Sequence, residues 1–552
     1  MITGPGVGFT RLLPQRGDYA GLRDSWRRDV LAGVTVGVVA LPLALAFGIS
    51  SGVGAAAGLI TAVVAGLVAA VFGGSNVQVS GPTGAMAVVL APVVAAHGLG
   101  SLALVTVAAG FLVLAAGVTG LGRAVTFIPW PVIEGFTLGI AVIIFLQQMP
   151  AAFAEQAGAG MRTLPAAWAV VTHVDLAFAA KTLGVVAIVA ALMVGLPRLH
   201  RGIPESLTAV AAVTALVTVF DIQVATIGEL PSQLPSPVLP EADLAAFGAL
   251  GGAALTIAAL AAIESLLSAR VAATMTSTGP YDPDRELVGQ GFASIASGVF
   301  GGMPATGAIA RTAVNVRSGA RTRVSAVVHS LVLLAVVYLA TGPVSKIPLS
   351  ALAGILMVTS FRMISASTIR KILGSTRSDA LTFVLTGVIT VCFDLIEAVG
   401  IGIVVAAFFA LRTVARRSSV VREELPGPHL PGDEKIALLR LDGAMFFGVA
   451  ERISSAIADG GGDADQPLTS VVIIRMSALG MLDATGAHTL AEILTELEAR
   501  GVTVIVKGVQ PEHMNLMTNV GVFESLRHEN HVLDSLEEAI AHARKHVAQQ
   551  AH

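Results

Sequence analysis

From Asp29 to Arg412 the sequence is a succession of apolar runs, many close to the length that crosses a lipid bilayer, with charges sparse and mostly in the short gaps between runs. A helix needs about 20 apolar residues to span the hydrocarbon core. In lipid every backbone N–H and C=O must be paired internally, so runs of this length are expected to be helices. Hydrophobic residues make up 54% of the chain and charged residues 13%, against roughly a quarter charged in ordinary soluble domains. Beyond Arg412 charges become dense, which implies a second part folded in water.

Runs near 30–50, 54–72, 82–96, 101–121, 131–149, 180–197, 204–220, 249–274, 286–299, 305–316, 323–341, 347–361, 378–393 and 395–414 predict about fourteen spans. Charge placement tests that count, because cytoplasmic loops are enriched in Lys and Arg. Arg23, Arg27 and Arg28 precede the first run and read as a cytoplasmic flank rather than part of a cleavable signal. Loops after even-numbered spans then hold Arg123, Arg198 and Arg201, Arg285, Arg317, Arg321 and Arg323, and finally Arg362, Arg370, Lys371 and Arg377. The opposite loops hold only Arg162, Lys181 and Lys346, and the last span exits into Arg412, Arg416, Arg417 and Arg422. An even count with both termini cytoplasmic follows, with residues 1–28 as an N-terminal segment, 29–417 in the membrane, 418–433 as a Pro-containing linker and 434–552 as a separate domain.

One motif is written twice. Thr83-Gly84-Ala85-Met86-Ala87 and Thr306-Gly307-Ala308-Ile309-Ala310 lie 306 − 83 = 223 positions apart, each after Val-Phe-Gly-Gly and a stretch unsuited to membrane helix. They open spans three and ten, equivalent members of two seven-span halves, and an odd number per half inverts the second relative to the first. Such Gly/Pro-interrupted segments at corresponding places mark the binding site of many secondary transporters; close packing through small residues would also produce them. The first N–H groups of a helix lack intrahelical acceptors and the helix dipole adds about half a positive charge there. Two such termini converging at the midplane would favour an anion. Thr83 and Thr306 can add hydroxyls, and Gly84, Ala85, Gly307 and Ala308 let a ligand approach the backbone.

Two charges fall inside apolar runs and are functional candidates for that reason. Arg311, five residues beyond Thr306, is expected near the anion; it could instead pair with an acid or reach the cytoplasmic face. Glu264 shares a helix face with Ser268, four residues on. Set between desolvation and a nearby arginine, it could carry a proton, help Ser268 hold sodium, or form a structural pair with Arg311.

After Pro431, apolar stretches at 436–441, 471–474 and 502–506 predict strands, and patterns near 448–458, 484–499, 511–518 and 534–547 predict helices. That alternation indicates a small α/β domain. The single cysteine, Cys392, excludes an internal disulfide framework and a multi-cysteine zinc site. No metal site, cofactor or catalytic residue is expected, because no His/Cys/Asp cluster with ligand or triad spacing is evident. A net charge of −3 gives no reason to expect nucleic-acid binding.

The residues resemble those of the SulP anion permeases, the family that includes animal sulfate, chloride/bicarbonate and prestin-type proteins. The likeness rests on Leu41-Pro42-Leu43-Ala44-Leu45-Ala46-Phe47, Ser80-Gly81-Pro82-Thr83-Gly84, Glu264-Ser265-Leu266-Leu267, and Thr306 through Arg311 followed by Asn315. The C-terminal part is similar to a STAS domain, with Thr485 in Leu482-Asp483-Ala484-Thr485-Gly486 where anti-sigma-factor antagonists carry a phosphorylated hydroxyl; a plain helix N-terminal turn is the simpler reading. The resemblance implies fourteen spans as a seven-plus-seven inverted repeat, core and gate domains in an elevator-like cycle, and a homodimer. It places Phe47, Thr83, Thr306 and Arg311 at anion-binding positions and Glu264 and Ser268 at the coupling-ion region. Leu43 stands where many relatives carry Gln, and Glu264 where sodium-coupled relatives carry Asp, which favours H⁺ over Na⁺.

Together these readings predict a multi-pass protein of the cell (inner) membrane, surrounded by lipid. It is expected to carry a small anion of the sulfate, bicarbonate or dicarboxylate class by proton-coupled symport. Sodium-coupled symport, or an uncoupled channel or exchanger, is the alternative. An enzyme is not expected.

Overall fold

The computed structural model describes residues 9–19, 21–123, 129–155, 163–174, 176–199, 204–240, 244–276, 278–279, 281–392, 395–445, 469–528 and 531–550. The chain divides into two compact units, Met1–Ile403 and Val404–His552.

The first unit is helical. Its first half holds α1 (Leu22–Ser50), α2 (Ala55–Phe72), α3 (Gly84–His97), α4 (Ser101–Val118), α5 (Trp130–Gln147), a short α6 (Met149–Phe153), α7 (Thr163–His173), α8 (Leu176–Leu199) and α9 (Glu205–Val219). Its second half holds α10 (Leu244–Met275), α11 (Pro283–Val299), α12 (Ile309–Arg317), α13 (Val324–Leu339), a short α14 (Thr341–Ser345), α15 (Leu349–Met363), α16 (Ala366–Leu373) and α17 (Arg377–Cys392). Helix α18 (Leu395–Arg417) begins in this unit and runs on into the second. Each apolar run predicted as a span coincides with a helix. Among the described residues, 7 helical stretches are long and apolar enough to cross a membrane by length and composition, and shorter apolar helices include α3, α9 and α13. Helices α7 and α16 were not anticipated; Ser365 caps α16 by accepting from Thr368 N.

Helix packing repeats between the halves. Helix α1 packs on α13 as α10 packs on α4, α2 on α13 as α11 on α4, and α5 on α17 as α15 on α8. This exchange of partners points to an inverted-repeat architecture. The two interrupted segments meet at its centre. Strand β1 (Ser80–Gly81) pairs antiparallel with β2 (Thr306–Gly307), Ser80 opposite Gly307 and Gly81 opposite Thr306. Helix α3 starts at one end of this ribbon, with Thr83 as N-cap, and α12 starts beyond the other, after Ala308.

Two arginines predicted as cytoplasmic loop charges are buried instead. Arg323 donates to the Gly73 carbonyl at 2.5 Å, just past the end of α2, and lies 3.6 Å from Asp18. Arg285 grips Asp18 through both terminal nitrogens. A guanidinium taken out of water must meet acceptors on several sides, and the N-terminal segment supplies one of them. Asp29, fully buried on α1, accepts from Arg321 N at 2.6 Å and Thr322 N at 3.0 Å at the approach to α13.

In the second unit β3 (Ser419–Glu423), β4 (Ile436–Met445), β5 (Val471–Arg475), β7 (Thr503–Lys507) and β8 (Val532–Leu533) form a sheet in the order β3-β4-β5-β7-β8, and β6 (Leu479–Leu482) also pairs with β4. All pairings are parallel except β3 with β4. Strand β3 falls in the predicted linker, where Val420 packs against the sheet core. Helices α19 (Ala484–Ala499) and α20 (Pro511–Val520) cover the face carrying Leu439, Ile474 and Val504. Helix α21 (Leu536–Gln550) covers the face carrying Leu438, Ile473 and Ile505. Burial on both faces explains why these strands are continuously apolar rather than alternating. The helix predicted near 448–458 lies outside the described residues.

Candidate functional site

A buried non-helical backbone needs a partner for every polar group, and neighbouring helices provide them along residues 74–82. Glu286 of α11 accepts from Gly74 N at 2.7 Å and Ser75 N at 3.2 Å. On α12, Asn315 donates to the Val77 carbonyl at 2.8 Å and Thr312 Oγ1 accepts from Val79 N at 3.1 Å. Gln78 donates to the Ser265 carbonyl at 3.2 Å, Ser265 Oγ accepts from Gly307 N at 3.0 Å, and Gln290 donates to Ser80 Oγ at 2.6 Å. The ribbon is therefore held rigidly from α10, α11 and α12.

Thr83 and Thr306 stand at the ribbon's core, their hydroxyl oxygens 3.3 Å apart. Both donate to one atom, Glu264 Oε2, at 2.8 Å and 2.9 Å. Thr83 Oγ1 also accepts from Met86 N in the first turn of α3, at 3.5 Å. Among the described residues Gly84 N and Ala85 N have no acceptor, and neither do Ile309 N and Ala310 N at the start of α12. Phe47 of α1 and Ile144 of α5 close over Gly84, where an added Cβ would lie 3.2 Å from the Phe47 ring.

Arg311 is 2% exposed. Its Nη2 donates to the Pro82 carbonyl, directly before Thr83, and its Nη1 has no hydrogen-bond partner among the described residues. Gly81 makes room for it, since a Cβ there would lie 2.7 Å from Nη1. The alternative of a direct Glu264–Arg311 pair is not what these residues form: Glu264 engages the threonines and Arg311 the backbone. Ser268 bonds Thr312 Oγ1 at 3.2 Å, one turn from Glu264, and is not among that carboxyl's hydrogen-bond partners. Ala85, Gly307 and Ala308 are buried at the two helix starts. Gln78, as a residue unsuited to membrane helix, and Ser265, within a quoted motif, were visible in the sequence without a role, and Thr312 and Gln290 were not singled out.

In the C-terminal unit the expectation that no His/Cys/Asp cluster has ligand spacing fails: His531, His542 and His546 converge, with ligand atoms all within 4.8 Å of one another. The first is distant in sequence from the other two, and the fold of α21 against the sheet joins them. Thr485 is exposed in the first turn of α19, where Asp483 caps by accepting from Gly486 N at 2.7 Å.

Comparison with known proteins follows this division of the chain. Residues 26–386 match the Sulfate permease family and residues 428–539 the STAS domain. The chain is 34% identical over 515 residues to YvdB of Bacillus subtilis (strain 168), provisionally named a sulfate transporter, covering 91% of this chain and 95% of that protein. It is 31% identical over 547 residues to the bicarbonate transporter BicA of Synechocystis sp., covering 93% and 94%. The structure of the murine Solute Carrier 26 family member A9 anion transporter in the inward-facing state superposes with a TM-score of 0.83 at 17% identity, covering 98% of this chain and 96% of that one, which bears on the fold alone. These matches are transporters and not enzymes. The chain belongs to the sulfate permease family: it is a multi-pass membrane protein of the anion-permease fold with a C-terminal STAS domain.

Proposed function

We propose that the chain is a secondary carrier whose small oxyanion, of the sulfate, bicarbonate or dicarboxylate class, docks between the starts of α3 and α12. The observation that carries this reading is the unpaired Nη1 of Arg311 beside two helix N-termini whose first amides also lack acceptors. Arg311, Gly84 and Ala85 are buried, where leaving donors bare is costly, whereas Ile309 and Ala310 are exposed; an anion with several acceptor oxygens would serve the buried set. Phe47 and Ile144, over Gly84, would supply the apolar wall. The sulfate and bicarbonate transporters among the relatives point to the same substrate size and charge.

Glu264 bears on coupling. Both threonine hydroxyls lie within hydrogen-bond distance of its Oε2. With Thr83 Oγ1 and Thr306 Oγ1 it offers three clustered oxygens, a donor set suited to a hard cation. An anion arriving beside a carboxylate is repelled unless a cation accompanies it. Sodium-coupled symport therefore has more behind it than the proton-coupled symport expected from sequence. Passage without coupling is the second reading, and either would run within fourteen spans as two inverted sevens, a core moving against a gate, both termini cytoplasmic in the cell membrane, and a dimeric assembly.

Uptake of labelled sulfate and bicarbonate into proteoliposomes tests this under a sodium gradient, under a proton gradient and with neither. Expected is saturable counterflow, concentrated further by inward sodium. Accumulation driven only by the proton gradient would restore proton symport, counterflow indifferent to both gradients would make the protein an exchanger, and ohmic anion current without counterflow would overturn the carrier reading.

A further inference from the structure

His542 and His546 lie one turn apart on α21, with their Nε2 atoms 3.2 Å from each other. His531 comes from the segment entering β8, and its ring centre lies 5.4 Å from that of His542 and 5.2 Å from that of His546. In a tetrahedral zinc site with metal–nitrogen bonds of about 2.0–2.1 Å, neighbouring nitrogens sit roughly 3.3–3.4 Å apart. The α21 pair already has that spacing, and the third nitrogen lies within 4.8 Å of it.

A second observation is independent of the spacing. His531 is 1% exposed; the Val504 carbonyl faces its ring, and neither ring nitrogen is in a well-aligned hydrogen bond among the described residues. A neutral imidazole carries one donor and one acceptor, and leaving both unmet in a protein interior is unfavourable. Packing of rings alone would account for the contacts but not for one ligand atom from each of three imidazoles gathered within 4.8 Å of one another. A metal ion would take up the lone pairs.

We propose that His531, His542 and His546 form a binding site for a divalent transition-metal ion of the zinc class in the STAS domain. Three imidazoles without carboxylate oxygens suit zinc, copper or nickel rather than calcium or magnesium. The fourth position is open to water or to His528, an exposed residue whose ring lies 5.3 Å from that of His531. A bound ion ties the C-terminal helix to the segment entering the edge strand β8, so the site acts as a staple and not as a reaction centre.

The test uses the full-length chain in detergent, stripped with chelator and titrated with Co²⁺. Expected is one ion per chain, with the intense visible absorption of tetrahedral cobalt, displaced by Zn²⁺. His542→Ala and His546→Ala each weaken binding at least tenfold, while His488→Ala on α19 does not. Alanine favours helix, so α21 is retained in these variants. Zinc-edge X-ray absorption of the unmodified protein counts histidine neighbours without any variant. Three or more sustains the site; fewer than three, or Co²⁺ binding unchanged in the double variant His542→Ala/His546→Ala, overturns it.

Discussion

Glu264 Oε2 receives two hydroxyl donors at once, so changing its charge while keeping its shape is the sharpest probe of coupling. Glu264→Gln is expected to abolish concentrative uptake driven by sodium, a loss of at least tenfold, while leaving counterflow measurable in proteoliposomes. Retained sodium-driven accumulation would remove the carboxylate from the coupling role. Arg311→Lys keeps the positive charge but loses the planar fork whose Nη2 holds the Pro82 carbonyl while Nη1 is left for the proposed anion. Anion affinity, read from substrate-dependent thermal stabilisation, should fall about tenfold, the size of one hydrogen bond to a charged group. Thr83, Thr306, Glu264 and Arg311 were legible as a set because each is polar in an apolar run. The roles of Ser265, although it sits in a quoted motif, and of Thr312 were not, since such hydroxyls in helices usually bond their own backbone and only the fold shows that these two hold the ribbon.

At the scale of elements, the meeting of the interrupted segments depends on tight helix crossings. Gly58 of α2 faces the backbone of α1, where an added Cβ would collide with the Ala44 carbonyl oxygen and crowd Gly48. Gly58→Val should cost about 1–3 kcal/mol, the range for overpacking, seen as a lower melting temperature in detergent; an unchanged melting temperature would mean that the crossing is looser than described. In the second unit Arg544 anchors α21 by donating to both oxygens of Asp433 at 2.8 Å. That hydrogen bonding holds the Asp433 carboxyl below its usual 3.8, so its contribution is present above that value and is lost as pH falls through the lowered one. Asp433→Asn should therefore speed hydrogen exchange in α21 at neutral pH, on the order of tenfold. The difference from the parent protein should vanish in strong acid. Helix periods and breakers were readable for most elements. The burial of Arg285 and Arg323 was not, because an arginine between apolar runs looks the same whether it meets lipid headgroups or Asp18.

For the whole molecule, the duplicated motif and alternating loop charges anticipated two related halves, and the exchanged packing partners of α1, α2, α4, α10, α11 and α13 carry that relation into three dimensions. The short α7 and α16 escaped notice because neither is long enough to read as a span. An experimental density map of the full-length protein, obtained with and without saturating sulfate or bicarbonate, tests the proposed anion docking between the starts of α3 and α12 most directly. Expected is added density within hydrogen-bond reach of the Gly84 and Ala85 amides and Arg311 Nη1, with Thr83 and Thr306 still side by side. Continuous helix through residues 72–84 and 299–309, or the anion seated away from both helix starts, would contradict it.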